Sequence, residues 1–208
     1  MAVLTRIQLI NEAKYRAGIE GSNVNLNTEY DMVTRDITGR YDILRGNYAT
    51  GTYTFSLTDN WLTVPTGFKA VDHMKSDATT RVEVVMVEPE IFFSIAATFG
   101  SAAIPIKGCY VATDGKIYLT PFPSITGTAG AYYLWYTKYH PASTADTYSH
   151  ILGEEFDETI ILGLTAHACE IIEKYQRALW FRQSYEEDLS IKASVKRKRM
   201  IRVEYPDF

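Results

Sequence analysis

The sequence predicts an α+β fold: a helical bundle built from both ends of the chain, with an inserted antiparallel β-sandwich-like module. Two observations lead to this prediction. In residues 1–48 and 149–199, apolar side chains recur every three or four positions, which is typical of amphipathic helices. In residues 50–148 they alternate with polar ones, which is typical of half-buried strands. Because helices do not alternate with strands, a doubly wound parallel sheet is disfavoured. Residues 200–208 are predicted to be an extended C-terminal docking tail.

Composition indicates a folded protein with a substantial core. The chain has 208 residues, 46% hydrophobic and 22% charged, and a net charge of −4 that disfavours a nucleic-acid clamp. No apolar run is long enough to cross a membrane, and we expect no membrane partner. Cys109 and Cys169 share no motif spacing, which favours a reducing compartment such as the cytoplasm.

Two short amphipathic helices are predicted at the start of the chain. Thr5 and Gln8 have the spacing of a capping box, and Gly18 is a typical stop. Thr28 and Asp31 indicate a second helix start, and that helix is expected to end near Gly46. The predicted buried positions are Ile7, Ile10, Ala13 and Ala17 in the first helix, and Tyr30, Val33, Ile37, Tyr41 and Leu44 in the second.

About six short strands are predicted in residues 50–148. The strongest local signal is Asp114-Gly115 between alternating residues, which is typical of a tight hairpin turn. Pro89 is expected to open a short helix between the strands. The predicted strands are Tyr53–Leu57, Trp61–Val64, Phe68–Met74, Arg81–Val87, the pair Tyr110–Ala112 and Ile117–Leu119, and Ala131–Tyr139.

The stretch Ser149–Arg199 is predicted to be one very long helix, or two helices that meet near Gln176. An unbroken helix from Ile151 to Val195 would be roughly 65 Å long, several times the radius of gyration of about 17 Å expected for the chain. Such a helix could not bury its whole apolar face within its own domain, so part of it would pack on other subunits or project. Its apolar positions are Leu152, Phe156, Ile160, Leu164, Ala168, Ile171, Tyr175, Leu179, Phe181, Tyr185 and Leu189.

No catalytic, cofactor or metal site is predicted, and an enzyme is disfavoured. His167 and Cys169 are two positions apart on a helix, so they point in different directions and cannot share a metal. The acidic residues of 154–158 crowd one turn, where they stabilise the positive end of the helix dipole.

The C-terminus combines a basic run with an alternating tail. The run allows three interpretations: a short nucleic-acid patch, a solvated helix end, or docking into an acidic groove of another protein. The tail, which includes Tyr205 and ends at Phe208, alternates apolar and polar residues, and such a peptide fits a partner's groove or sheet edge. The basic residues are Lys192, Lys196, Arg197, Lys198, Arg199 and Arg202.

The order of these signals resembles the head-to-tail adaptor proteins of short-tailed bacteriophages, the tail tubular A or gatekeeper-like connectors. The resemblance extends over nearly the whole chain, but the loop Thr98–Pro105 and the acidic turn match nothing specific. The matching pieces are Thr5–Asn11, Leu62–Phe68, Lys116–Pro123, Tyr132–Tyr136 and Tyr185–Leu189.

The resemblance implies a structural protein of the virion neck, assembled in the host cytoplasm, that acts in genome ejection. It implies a ring, commonly dodecameric, between the portal protein and the tail nozzle protein, with tail fibres as a possible further partner. DNA would pass through the channel without sequence-specific binding. We therefore assign portal docking to Lys192, Lys196, Arg197, Lys198, Arg199, Arg202, Tyr205 and Phe208. A subunit interface is assigned to Tyr175, Leu179, Phe181, Tyr185 and Leu189.

A β-sandwich ligand- or glycan-binding module with a helical oligomerisation stalk is the alternative function. It depends on Trp61, Tyr133 and Trp135 being exposed aromatic residues rather than core residues. A ligand-induced thermal shift would separate the two classes.

Overall fold

The chain divides into two compact units in a computed structural model. The structure describes residues 3–44, 47–54, 61–76, 82–96, 107–120 and 129–201. Met1–Leu44 and Tyr139–Phe208 form the helical unit, and Arg45–Lys138 form the β-module. The α+β class is confirmed, because the described residues form both α-helices and β-strands.

Segment 139–148, which the sequence assigned to the β-module, lies in the helical unit. The backbone N–H of Arg6 donates to the carbonyl of Tyr148 at 2.7 Å. The backbone N–H of His140 donates to Oγ1 of Thr38 at 3.0 Å. Hydrogen bonds to two helices therefore hold this segment against the bundle.

The described residues contain five α-helices, four of them in the helical unit. A 3-10 turn, Glu154–Phe156, leads into the fourth helix. The helices are α1 Arg6–Ala17, α2 Asn27–Arg40, α3 Pro89–Ala96, α4 Asp157–Ile171 and α5 Tyr175–Ile201.

The ends of α1 follow the predicted signals. The backbone N–H of Thr5 donates to Oε1 of Gln8 at 2.8 Å, which is the reciprocal half of a capping box. Gly18 ends the helix at φ 74°, a left-handed conformation that glycine adopts without steric cost.

The buried face of α1 and the end of α2 differ from the prediction. Ile7 is 37% exposed, whereas Arg6 is buried. The Arg6 guanidinium donates to the Thr144 carbonyl at 3.2 Å and to the exposed Asp146 carboxylate at 3.3 Å, which offsets the cost of its burial. Helix α2 ends at Arg40 rather than near Gly46, so its two last predicted positions follow the helix.

The C-terminal stretch forms two helices rather than one. Helices α4 and α5 meet at residues 172–174, where Glu173 has φ 60°, a left-handed conformation that ends the helical path. The side chains then pair in antiparallel order: Arg182 contacts Glu170, and Lys192 binds Thr159. The single rod of roughly 65 Å does not form, and the two-helix alternative near Gln176 describes the chain.

Helix α4 lies at the centre of the helical core, and α1, α2 and α5 pack against it. Every residue from 159 to 166 is buried, so α4 is covered around most of its circumference. Helix α5 contributes one face, here called the inner stripe. It consists of Ala178, Phe181, Tyr185, Leu189 and Ala193.

Three residues predicted to form a subunit interface belong to this inner stripe. Phe181 and Tyr185 are 6% exposed and Leu189 is fully buried. Their apolar surface is covered within the chain because α5 folds back on α4. These side chains are therefore not available to a neighbouring subunit in this structure, which corrects their assignment.

Eight strands lie in the described part of the β-module, one more than the seven strand ranges predicted. Residues 55–57 of the first predicted strand lie outside the described residues. The strands are β1 Asn47–Thr54, β2 Trp61–Thr63, β3 Phe68–Ser76, β4 Val82–Glu83, β5 Val85–Met86, β6 Lys107–Val111, β7 Lys116–Thr120 and β8 Ala129–Lys138.

The strands form two four-stranded sheets, in the orders β1-β8-β3-β4 and β2-β7-β6-β5. All pairs are antiparallel except β5 with β6, which is parallel and corrects the fully antiparallel prediction. The predicted strand Arg81–Val87 divides at Val84, so that β4 and β5 join different sheets. The edge strand β5 can run parallel to β6 because helix α3 separates them along the chain.

One apolar cluster contains residues of both sheets, as expected for a sandwich. On β8, Leu134 is buried in this cluster, and Tyr132 and Tyr136 pack against it, so this face is the inner one. The β6–β7 hairpin closes with residues 112–115, a four-residue loop in which Gly115 has φ 65°. The predicted Asp-Gly turn is thus present within a longer loop.

Candidate assembly surfaces of the helical unit

A cleft of about 600 Å³ lies between α2 and α5, with α4 at its floor; we call it the α2–α5 cleft. Gly163 and Ala166 are the small α4 residues at this floor. The lining residues are Met32, Val33, Arg35, Asp36, Gly39, Arg40, Gly163, Ala166, His167, Arg182, Tyr185 and Glu186.

Gly163 allows the close approach of the helices at this floor. A Cβ atom there would lie 2.9 Å from Cγ1 of Val33 on α2 and 3.2 Å from Cδ2 of Tyr185 on α5. Such distances are shorter than ordinary van der Waals contact. The backbone of α4 therefore touches both neighbours only because this position has no side chain.

A polar network joins α2 to α5 at one end of the cleft. The Tyr185 hydroxyl donates to Oδ2 of Asp36 at 2.7 Å, and Arg40 Nε binds Oδ1 of Asp36 at 2.8 Å. Arg40 Nη1 also reaches both oxygens of Glu186, at 2.6 and 2.7 Å. Burial, together with the hydrogen bond to Asp36, raises the pKa of Tyr185 above its ordinary value. The network therefore links α2 to α5 through four polar side chains that line the cleft.

Further basic side chains line the cleft. Arg182 and His167 both contact Glu170, the latter at 3.3 Å. The Arg35 guanidinium lies 5.5 Å from the centre of the Tyr139 ring. Within the described residues no carboxylate lies within 4.0 Å of Arg35, whose side chain is exposed. Arg35 therefore supplies a positive charge that remains available to a partner.

Helix α5 also carries an exposed apolar face, here called the outer stripe. It consists of Trp180, Ser184, Glu187, Ile191 and Val195, which recur every three or four residues and therefore share one face. Trp180, Ile191 and Val195 are 61%, 64% and 44% exposed. The Trp180 ring packs edge-on against Phe181 at 4.8 Å. Sequence reasoning missed this face, although the spacing from Trp180 to Ile191, three full turns, was a signal for it.

The remaining predicted interface residues, Tyr175 and Leu179, are at the surface of α5. They are 63% and 67% exposed and lie one turn apart near the helix start. Ile171, at the end of α4, is 47% exposed. Ile171 precedes the reversal of the chain at residues 172–174, and Tyr175 and Leu179 follow it.

The structure separates Lys192 from the rest of the predicted docking residues. Its ammonium binds Asp188 at 2.7 Å and Thr159 at 3.3 Å, so it is committed to the bundle. Lys196, Arg197, Lys198 and Arg199 lie on the last turns of α5, where only the helical backbone is described. Arg202, Tyr205 and Phe208 lie outside the described residues.

The aromatic residues of the alternative function do not share a face. In β2, Leu62 is buried toward the sheet interior, so Trp61 lies on the outer face of its sheet, with the Lys116 ammonium 3.8 Å from its ring centre. On β8, Trp135 and Tyr133 alternate with buried Leu134, so they lie on the outer face of the other sheet. The two sets therefore cannot form one binding platform.

The described residues lack two further features. They contain no cluster of three histidine, cysteine or acidic side chains with the geometry to hold a metal. No helix among them is both long and apolar enough to cross a membrane.

The comparison with protein families decides the class of this protein. The model of the SU10 adaptor protein family matches residues 5–204, nearly the whole chain. The chain belongs to the SU10 adaptor protein family. This family consists of structural phage proteins that are not known as enzymes, and it indicates an adaptor of the virion neck. A search of curated proteins found no significant match.

Proposed function

We propose that this adaptor forms a ring, of twelve copies, between the portal and the tail nozzle of a phage virion. The family match over residues 5–204 carries the proposal, because it includes both units and the segment that follows α5. DNA would pass through the central channel during genome ejection. The net charge of −4 suits a channel wall that DNA slides past, because phosphate binding needs an excess of Lys and Arg.

We further propose that the ring is built from contacts between helical units. A closed ring repeats one heterologous contact, in which two different surfaces of the same chain meet. Tyr175 and Leu179 remain candidates for this contact, because they are large, exposed and adjacent. The tail nozzle and tail fibres would bind other surfaces of the ring.

The C-terminal segment is proposed to dock on the portal. Helix α5 runs to Ile201, whereas its last described buried residue is Ala193, so about two turns continue beyond the inner stripe. Those turns carry the basic run 196–199, and the tail with Tyr205 and Phe208 follows. A cationic helix end with an alternating tail fits an acidic groove between portal subunits.

Deletion of residues 195–208 tests this docking. The inner stripe stays intact, so we expect the truncated adaptor to keep its thermal unfolding temperature but to lose binding to purified portals. Co-sedimentation with portals would measure the loss. Normal assembly of the truncated adaptor onto portals would refute the docking tail.

Charge reversal of residues 196–199 tests the electrostatic part of the same docking. We expect weaker portal binding, with a reduced dependence of affinity on salt, because interactions between exposed charges are screened by ions. Binding should be measured across a salt series for the wild-type and reversed proteins. An identical salt dependence in both would indicate that the segment binds by packing alone.

A further inference from the structure

The α2–α5 cleft and the outer stripe have complementary properties. The cleft has a floor of small and apolar residues, and its lining includes the exposed cation Arg35, which has no carboxylate of the described residues within 4.0 Å. The outer stripe has an exposed tryptophan and an exposed carboxylate, Glu187, two turns apart. The Glu187 carboxylate accepts a hydrogen bond from Gln183 at 2.9 Å, and no cation of the described residues lies within 4.0 Å of it.

The two surfaces cannot meet within one chain. Both surfaces include residues of α5, and successive residues of a helix are rotated by about 100°. The outer stripe is therefore roughly 160° around the helix axis from Arg182 and Glu186, which line the cleft. Its side chains therefore point away from the cleft of their own chain. Any cleft that an outer stripe fills must belong to another molecule.

We propose that the outer stripe of one copy docks into the α2–α5 cleft of the next, with Trp180 over Gly163 and Ala166 and Glu187 paired with Arg35. This rests on the proposed ring and names its repeating contact. The two surfaces face different directions, so the contact is heterologous and propagates from copy to copy, as a ring requires.

The part of the outer stripe from Trp180 to Glu187 fits within the length of the cleft. Trp180 and Glu187 are separated by seven residues, about 10 Å along α5. The lining residues Met32 to Arg40 extend over eight residues of α2, about 12 Å. Tryptophan is the residue type most enriched among dominant contacts at protein interfaces, and a concave pocket with small floor residues is where such a contact is strongest.

A charge swap gives the sharpest test. In the full-length chain, Arg35→Glu places two carboxylates in contact at the junction, and Glu187→Arg places two cations there. Both residues are exposed, so the fold should be unaffected, which circular dichroism would verify. We expect each single variant to self-associate about tenfold or more weakly than the wild type in sedimentation velocity and native mass spectrometry.

The same pair of variants tests the heterologous geometry. The double variant Arg35→Glu/Glu187→Arg restores opposite charges and should recover association. An equimolar mixture of the two single variants should also associate, because copies that alternate have matched junctions all around. Closed rings in that mixture should contain an even number of copies, which native mass spectrometry counts directly.

Trp180→Ala tests the apolar half of the contact. We expect self-association to weaken about 30-fold, as for a dominant interface residue. Tyr15→Ala is the matched control, because Tyr15 on α1 is also 61% exposed and lies outside both surfaces. Equal association of these two variants would overturn the proposal.

A disulfide test locates the contact independently. The native cysteines are buried, so Arg35→Cys/Glu187→Cys should form a ladder of cross-linked multimers on mild oxidation, whereas each single cysteine variant should not. If the wild type forms rings, but the double cysteine variant gives no ladder and the charge swap has no effect, this contact is wrong and the ring proposal stands. A wild-type chain that stays monomeric at every concentration and gives no ladder would overturn both.

Discussion

Helices α4 and α5 are consecutive, similar in their apolar spacing, and opposite in their surroundings. Helix α4 is enclosed by three helices, and residues 159–166 are all buried. Helix α5 buries its inner stripe against α4 and exposes Trp180, Leu179 and Ile191, each more than 60% accessible. An apolar residue on a long helix can be buried within the chain or exposed at the surface, and its spacing in the sequence does not distinguish these two outcomes.

Matched leucine truncations on the two helices should give the largest difference. Leu164 on α4 is fully buried, and Leu164→Ala should lower the free energy of unfolding by about 3 kcal/mol, through lost transfer energy and a cavity. Leu179→Ala on α5 is the control, because Leu179 is 67% exposed and should change stability by less than about 0.5 kcal/mol. Urea unfolding measures both. Equal losses would mean that α5 is covered in solution.

Addition of a methyl group at Gly163, on the floor of the α2–α5 cleft, should have the next largest effect on stability. Gly163→Ala places Cβ 2.9 Å from Val33, so overpacking of about 1–3 kcal/mol opposes a gain in helix propensity of about 1 kcal/mol. We expect a net destabilisation of about 1 kcal/mol by urea unfolding. The Val33→Ala background removes the closest contact and leaves the 3.2 Å approach to Tyr185, so a smaller loss from Gly163→Ala in that background would confirm the cause. A stabilising effect in the wild-type background would show that the helices separate easily.

Removal of the Tyr185 hydroxyl should have a smaller, pH-dependent effect. Tyr185→Phe removes the 2.7 Å hydrogen bond to Asp36 and should cost about 1 kcal/mol at neutral pH. The pKa of Tyr185 is raised in the folded state, so the unfolded chain ionises first, and this group's contribution to stability is present below about pH 10 and falls as the pH rises above it.

The alkaline limb of the stability curve therefore tests the environment of Tyr185. We expect wild-type stability to fall more steeply above about pH 10 than that of Tyr185→Phe, by chemical unfolding at a series of pH values. Tyr15→Phe, at an exposed position, is the control and should follow the wild type. Parallel curves for all three proteins would mean that Tyr185 is solvated in solution.

A polar substitution on the outer stripe should have the smallest effect on stability. Ile191 is 64% exposed, so Ile191→Ser should change the free energy of unfolding of the monomer by less than about 0.5 kcal/mol. Thermal unfolding at low protein concentration measures this. A loss above 1 kcal/mol would indicate that the outer stripe packs within its own chain, and the contrast between the helices would disappear.

Local signals in the sequence predicted local structure well. The capping box at Thr5, the stop at Gly18 and the hairpin at Asp114-Gly115 all appear, because each depends on backbone geometry within a few residues. The class of the fold followed from the change of period between the ends and the middle of the chain. The prediction of a single strand at residues 81–87 was wrong in detail. These residues contain two short strands, β4 and β5, in different sheets, and together they show the same alternation as one strand.

The candidate surfaces were less predictable. The sequence analysis placed Phe181, Tyr185 and Leu189 at an interface, because a continuous helix could not bury its whole apolar face within its own domain. The α2–α5 cleft depends on Arg35, Gly163 and distant parts of α5, and no spacing rule joins positions that are over 120 residues apart. Only the packing of three helices shows that Gly163 lies on the floor of the α2–α5 cleft and that Arg35 also lines it.

The amino-acid sequence by itself determined the helices and most of the strands, because periodicity, caps and turns act over a few neighbouring residues. It also determined membership of a phage adaptor family, because order and spacing along nearly the whole chain suffice for that. The tertiary structure alone decided that the chain reverses at residues 172–174 and which apolar residues of α5 stay exposed. Burial depends on contacts between residues far apart in the chain, and these form only when the helices pack.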